Sequence, residues 1–419
     1  MILFREFAQR YREPVIRADV LWSAIAFVAQ VAIGGIVAIA IGRHFGPEVK
    51  GYASLLNIGP SIIAWLCAMG IAPATMYFAA RRQRSLNELL SAATVFAVAF
   101  GALAAVTGWL LLSPTIDVSE VVFALAVGLV LTVVQLLREY HGAALLGLSR
   151  VTLYARSSLV ARAVGAGVLL AAVYVAPLWL FYLVIPLSLG LTNLIVVGAV
   201  FRSLKWRWHW STDTAEQQLR FGLHSHPGDA VVVSLLRLDQ FAVFWLLGPA
   251  ALGLYSVGAL CADFLAQAGQ AAGQLFFGRV AAADDRGPYL TRLAVGASAL
   301  VLLAMALPLM LLAVPIVVGL FGPGFADAVG TWRILALAGV VEGAGRVAVL
   351  SLRALGAPLR ASAAHVAGLV VNVPLVLLLG PRYGIDGIAV ATLAAQIVVG
   401  VVAYAVLRGA APRHEGRRS

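Results

Sequence analysis

The chain has 419 residues, of which 62% are hydrophobic and only 12% are charged, and its formal net charge is +11. Soluble domains carry about 25% charged residues, so the composition excludes an ordinary soluble protein. Apolar stretches of the ~20 residues that a helix needs to cross a bilayer recur along the whole sequence. The sequence therefore predicts a helical, multi-pass membrane protein.

The apolar stretches predict twelve transmembrane helices. In chain order we place them at 20–42, 51–79, 88–112, 120–147, 157–176, 178–201, 223–247, 251–278, 293–320, 326–351, 361–380 and 384–407. The segment from Phe4 to Arg17 precedes the first helix, mixes arginines with aromatic residues, and lacks a signal-peptide cleavage site. We predict that it forms a helix lying in the membrane interface.

One short phrase occurs twice, about half the chain apart. Residues 45–54 read Phe-Gly-Pro-Glu-Val-Lys-Gly-Tyr-Ala-Ser, and residues 247–256 read Leu-Gly-Pro-Ala-Ala-Leu-Gly-Leu-Tyr-Ser. Each copy follows one long apolar segment and opens another, which indicates two repeated halves of the kind found in transporters. The predicted division is an N-terminal leader with a six-helix bundle, a cytoplasmic loop between bundles, a C-terminal six-helix bundle and a basic cytoplasmic tail, at 1–201, 202–222, 223–407 and 408–419.

The distribution of the 30 lysines and arginines predicts the orientation. Short cytoplasmic loops carry the positive excess, and most of these residues fall on one side if both termini are cytoplasmic. Only Arg43, Lys50 and Arg382 then lie outside. The positive charge in the predicted cytoplasmic loops and termini accounts for the net charge of +11, so we predict no nucleic-acid partner. The basic and aromatic segment 205–210, which directly follows a predicted helix, is interpreted as an interfacial aromatic belt.

Five arginines lie in or near the ends of predicted transmembrane helices: Arg138, Arg162, Arg237, Arg333 and Arg346. An arginine in a membrane is costly and does not lose its proton, so we expect it to face water or an anion. Guanidinium groups match phosphate oxygens, and we predict Arg138, Arg162, Arg237 and Arg346 as substrate-binding residues. The alternative for each arginine is a structural ion pair or an interfacial position, and for Arg333, close to a helix start, this alternative is favoured over substrate binding.

Acidic residues within the predicted helices are candidates for charge partners or for coupling to an ion: Glu139, Asp239, Asp263 and Glu342. Residues four apart on a helix lie within ~40° of each other, so Glu342 and Arg346 can pair. Arg237 and Asp239, two apart, point in different directions. We find no catalytic constellation, no ATPase-type glycine loop and no zinc-ligand run, and we predict no enzyme, no cofactor and no metal site.

Several motifs resemble those of the Wzx-type polysaccharide and O-antigen flippases of the multidrug, oligosaccharidyl-lipid and polysaccharide exporter superfamily. They are the second copy of the repeated phrase with Arg237-Leu-Asp239 before it, the turn at 321–328 with Trp332-Arg-Ile-Leu335, and the segment Tyr383 to Thr392. The resemblance implies an all-α membrane protein with twelve transmembrane helices in two pseudo-symmetric six-helix bundles around a central cavity.

The resemblance also implies a function. The implied protein is a flippase that moves a lipid-pyrophosphate-linked oligosaccharide from the cytoplasmic to the outer leaflet of the bacterial inner membrane by alternating access. Membrane lipids and other polysaccharide assembly proteins are further expected partners. A multidrug-type exporter of cations stays open because it needs buried acids such as Asp239, although the five arginines argue against a cationic cargo. A scaffold without transport also stays open, whereas a membrane enzyme would require a larger outer loop.

Overall fold

The computed structural model describes residues 14–81, 84–148, 150–281, 287–354 and 358–409. Most of the predicted interfacial leader and nearly all of the predicted basic tail lie outside these ranges. In chain order the helices are α1 (Pro14–Leu66), α2 (Ile71–Arg81), α3 (Leu86–Leu112), α4 (Ser119–Val130), α5 (Thr132–Gly147), α6 (Val151–Val175), α7 (Leu178–Leu204), α8 (Thr212–Ala281), α9 (Gly287–Leu311), α10 (Ala313–Phe321), α11 (Ala328–Ala354) and α12 (Pro358–Gly409).

Three of the longest helices are divided by a glycine whose backbone is not helical. The glycines are Gly46 in α1 (φ 83°), Gly248 in α8 (φ 86°) and Gly384 in α12 (φ 60°). A positive φ strains a residue that has a Cβ atom, which explains why glycine stands at each kink. Gly46 and Gly248 occupy the same position in the two copies of the repeated phrase. The phrase is therefore the turn between two helical segments in each half.

The helices account for the predicted number of membrane crossings. Among the described residues, nine helical stretches are long and apolar enough to cross a bilayer, one of them formed by α4 and α5 together, and three of the nine are the kinked helices that supply two crossings each. The all-α fold with twelve transmembrane segments is thus confirmed.

Individual boundaries differ from the predicted ones where the backbone breaks inside an apolar run. The predicted helix 51–79 is interrupted between Leu66 and Ile71, where Met69 and Gly70 have positive φ. The predicted loop 202–222 is mostly helical, because α7 continues to Leu204 and α8 begins at Thr212. Its remaining connection is fixed to α3, since the backbone N–H of Arg207 donates to Asn87 Oδ1 (3.1 Å).

The chain divides into two compact units. The first comprises the residues up to His44 together with Tyr52–Ala230, and the second comprises Phe45–Gly51 together with Val231–Ser419. The boundary near residue 230 falls inside α8 and directly after Pro227-Gly228. Each unit has its own apolar core, around Ile63, Leu136 and Tyr140 in the first unit and around Leu235, Leu352 and Val399 in the second.

Candidate functional site

Two of the predicted substrate-binding arginines lie together in the first unit. Arg138 on α5 and Arg162 on α6 lie near each other. Within the described part of the chain neither guanidinium forms an ion pair, and the buried Nε of Arg138 has no hydrogen-bond partner there. The two arginines therefore form a cationic pair that no described carboxylate neutralises.

Close packing of α5 against α6 positions this pair. A Cβ atom on Gly142 would lie 2.6 Å from Cε2 of Tyr154, so glycine at this position leaves room for the Tyr154 ring of α6. Arg138 lies one turn from Gly142, and Arg162 lies two turns from Tyr154. The Arg162 side chain also reaches α1, where its Nη2 lies 3.8 Å from the position a Cβ on Gly34 would take.

A row of polar contacts joins α1 to α5 beside Arg138. The Trp65 indole Nε1–H donates to Glu139 Oε2 (2.9 Å). One turn away, the Ser61 hydroxyl donates to Gln135 Oε1 (3.2 Å). The acid that follows Arg138 in sequence is thus held by a tryptophan on another helix.

The other two predicted substrate-binding arginines lie in the second unit and are ion-paired. Arg346 Nη2 lies 2.6 Å from Glu342 Oε1 on the same face of α11, as the four-residue spacing predicts. Arg237 Nη1 lies 3.1 Å from Asp263 Oδ2. The structure therefore separates the four predicted binding residues into an unneutralised pair in one unit and two compensated arginines in the other.

Arg333, for which the sequence favours an ion pair or an interfacial position over substrate binding, belongs to neither arrangement. Its side chain is exposed, and its Nε donates to the carbonyl oxygen of Met310 at 3.3 Å. This contact is that of a residue stabilising a helix end.

Asp239 is the centre of a buried polar group in the second unit. Its Oδ2 accepts a hydrogen bond from the Tyr255 hydroxyl (2.6 Å) and lies 3.5 Å from Thr392 Oγ1. Its side chain is almost fully buried. Tyr255 belongs to the second copy of the repeated phrase, so that phrase supplies a hydrogen-bond donor in addition to its turn.

Asn372 on α12 occupies the same level as Asp239. Gly368, one turn earlier, approaches Leu235, which is itself one turn before Asp239. Asn372 is buried, and neither its Nδ2 nor its Oδ1 has a hydrogen-bond partner among the described residues. The sequence alone does not show that this amide lacks a partner or that it lies at the level of the acid, because both depend on how α12 packs against α8.

Lys50 is a further functional candidate that the sequence analysis treated only as an outer-loop charge. It is buried, and its Nζ donates to Ser256 Oγ at 3.0 Å within the second unit. Both residues lie in copies of the repeated phrase, which is the signal that could have brought them together.

Comparisons with known proteins define the class of fold. No protein-family model and no curated protein sequence matches the chain. Solved structures do match over almost its entire length, and they are transporters and flippases of the MOP superfamily. The chain therefore shares the fold of these multi-pass membrane proteins.

One similar structure is the lipid II flippase MurJ in an inward closed conformation, with a TM-score of 0.76, 13% identity, and coverage of 93% of this chain and 87% of that chain. Another is an inward-facing MATE family multidrug transporter, with a TM-score of 0.69, 13% identity and coverage of 91% and 94%. A third is a MOP superfamily transporter from Pyrococcus furiosus described as having a binding pocket of reverse polarity, with a TM-score of 0.64, 14% identity and coverage of 93% and 95%.

Proposed function

We propose that this protein is a flippase that moves a lipid-pyrophosphate-linked oligosaccharide from the cytoplasmic to the outer leaflet of a bacterial inner membrane by alternating access. The observation that carries the proposal is the unneutralised pair of Arg138 and Arg162. Two guanidinium groups that stay charged within membrane-crossing helices need a compensating anion. A pyrophosphate offers several oxygens in the geometry that paired N–H donors favour.

The fold supports the same substrate class. The similar structure of highest TM-score given above is of a protein named as a flippase of lipid II. The motifs that resemble polysaccharide flippases add a glycan to the expected cargo. A lipid tail would remain in the bilayer while the charged and sugar-bearing headgroup follows the polar residues of the protein.

The remaining arginines take a second role in this proposal. Arg237 and Arg346 each hold a carboxylate, so an anion would have to replace Asp263 or Glu342 to bind them. We therefore assign first capture of the pyrophosphate to Arg138 and Arg162. Arg237 and Arg346 are proposed as contacts that the anion makes later in the cycle, through exchange of ion-pair partners.

Asp239 is the proposed ion-coupling residue. A buried carboxylate beside the Thr392 hydroxyl, with the unpartnered Asn372 amide at the same level of the unit, offers oxygen atoms that suit a proton or a small hard cation. Glu139, Asp263 and Glu342 are assigned to charge balance, because each of them accepts a hydrogen bond from a tryptophan or an arginine.

Export of an organic cation is the second candidate function, and the buried Asp239 is the observation that favours it. Such a cargo would need an acidic binding surface, whereas the accessible charged groups of the first unit include two uncompensated arginines. A cation exporter would raise resistance to cationic dyes in cells, and this resistance would depend on Asp239 and not on Arg138.

The experiment that tests the flippase function uses cells depleted of the protein. The readout is the accumulation of polyprenyl-pyrophosphate-linked glycan, with its exposure on the outer face measured by an externally added lectin. We expect accumulation inside on depletion, rescue by the wild type and by Arg333→Ala, and no rescue by Arg138→Ala/Arg162→Ala. Normal lectin labelling after depletion would reject the flippase function.

A further inference from the structure

A polar face extends from the arginine pair along two membrane-crossing helices of the first unit. On α1 it consists of Asn57, Ser61 and Trp65, each four residues from the next, and on α5 of Gln135 and Glu139. Residues at this spacing lie on one side of a helix. The bonds from Ser61 to Gln135 and from Trp65 to Glu139 join the helices at two successive turns. We refer to these five residues as the polar face.

The polar face remains accessible although it lies in membrane-crossing segments. The Asn57 side chain is exposed, and the other four side chains are half-buried. Polar side chains at membrane depth are costly against lipid and normally face water or a polar ligand. The buried amide of Asn372 in the second unit contrasts with this arrangement, because it is enclosed by protein.

The polar face is continuous with the arginine pair. Gln135 and Arg138 are three residues apart on α5, so their side chains project within ~60° of each other. Glu139 is held by Trp65, with its Oε2 accepting the indole N–H. A ligand whose anionic group contacts Arg138 therefore meets amide, hydroxyl, carboxylate and indole groups on the adjoining surface.

From this continuity we infer that the polar face binds the sugar residues attached to the pyrophosphate, an inference that rests on the proposed flippase function. An amide both donates to and accepts from sugar hydroxyl groups, whereas a carboxylate accepts from them. Trp65 supplies a flat apolar surface with one fixed polar edge, and such surfaces suit ligands that are polar at the rim and apolar on the ring face. The polar face would thus select a glycosylated pyrophosphate over a bare one.

The position of the polar face also gives the orientation of the headgroup across the membrane. On the predicted topology, the second half of α1 and α5 both run from the outer side towards the cytoplasm. Asn57 then lies about 12 Å further out than Trp65, given the 1.5 Å rise per residue of a helix. Arg138 lies at the level of Trp65 and Glu139. The sugar therefore enters the protein ahead of the pyrophosphate.

The test compares two soluble probes on the full-length purified protein in lipid nanodiscs. The probes are farnesyl pyrophosphate and farnesyl pyrophosphate carrying one N-acetylglucosamine, and binding is measured calorimetrically. We expect the glycosylated probe to bind more tightly. Asn57→Ala and Gln135→Met should each weaken it about three- to tenfold, as the loss of one hydrogen bond implies, and should leave the bare probe unaffected.

Matched variants distinguish a failure of the sugar-binding polar face from a failure of the proposed flippase function. Arg138→Ala should weaken both probes, and Gln267→Leu, an exposed glutamine on α8 in the second unit, should weaken neither. Asn57 is exposed, so Asn57→Ala keeps the test informative if Gln135→Met does not fold. Equal affinity for both probes, with binding still dependent on Arg138, would overturn the sugar-binding face alone. Binding of the bare probe that is insensitive to Arg138→Ala would instead count against the proposed function.

Discussion

Gly51 and Gly253 occupy the same position in the two copies of the repeated phrase, and each contacts the other's turn. A Cβ atom on Gly51 would overlap the carbonyl oxygen of Pro249, and a Cβ atom on Gly253 would overlap the carbonyl oxygen of Pro47. Both contacts lie within the second unit, which includes residues 45–51. The repeat therefore preserves a reciprocal backbone contact as well as a turn.

Because of this contact, a single methyl group added at either glycine should destabilise the folded protein. Gly51→Ala and Gly253→Ala should each lower the apparent melting temperature of the purified protein, because overpacking against backbone costs about 1–3 kcal/mol. Gly296→Ala on α9 is the control, since nothing lies within 4 Å of its Cβ position and alanine favours a helix. If the melting temperatures of all three variants equalled that of the wild type, the contact would contribute nothing to stability.

Reversal of one charge in the arginine pair should abolish transport without lowering the stability of the protein. In Arg138→Glu the new carboxylate faces Arg162, so the repulsion between the two guanidinium groups becomes an attraction. We expect a folded protein with a melting temperature at or above that of the wild type, and complete loss of glycan exposure in the lectin assay. Arg333→Glu, at an exposed position, should retain transport. A transport-competent Arg138→Glu variant would exclude pyrophosphate capture by this residue.

The sequence predicted the ion pair of Glu342 with Arg346 because residues four apart share a helix face. It could not predict the partner of Arg237, since Asp263 lies on the other side of the kink at Gly248 and the pairing depends on how the two segments pack. Nor could residue types alone distinguish the neutralised arginines from the unneutralised pair. The turns were predictable from Gly-Pro, whereas the break at Met69 and Gly70 was hidden within a continuous apolar run.

The two ion pairs of the second unit should differ in strength. Glu342 is more buried than Asp263, with side-chain exposures of 13% and 45%. Removing one partner leaves a charge uncompensated, which costs several kcal/mol when buried and much less when solvent screens it. We therefore expect Arg346→Met, which leaves the Glu342 carboxylate uncompensated, to lower the melting temperature clearly more than Arg237→Met, which leaves the more exposed Asp263 carboxylate uncompensated. Equal shifts in differential scanning fluorimetry would show that burial does not determine the contribution of these pairs.

Replacement of the Asn372 amide by an apolar side chain is expected to raise the stability of the protein and to impair its function. Its two buried, unpartnered amide atoms destabilise the folded state, because a buried polar atom without a hydrogen bond costs about 1–3 kcal/mol. Asn372→Leu replaces the amide with an apolar group of similar size and should raise the melting temperature. The same variant should lose ion-dependent transport if the amide serves the proposed ion site beside Asp239.

The stability of the Asn372→Leu variant and its ion-dependent transport are measured on one protein preparation. Melting temperature is followed with and without sodium at two pH values, and flipping of a fluorescent glycosylated polyprenyl pyrophosphate is followed in proteoliposomes under an imposed ion gradient. Asp239→Asn provides the comparison, since it should abolish the response to the gradient while leaving Arg138 and Arg162 in place. A more stable Asn372→Leu variant that still responds fully to the gradient would assign Asn372 a packing position and leave Asp239 as the sole proposed coupling group.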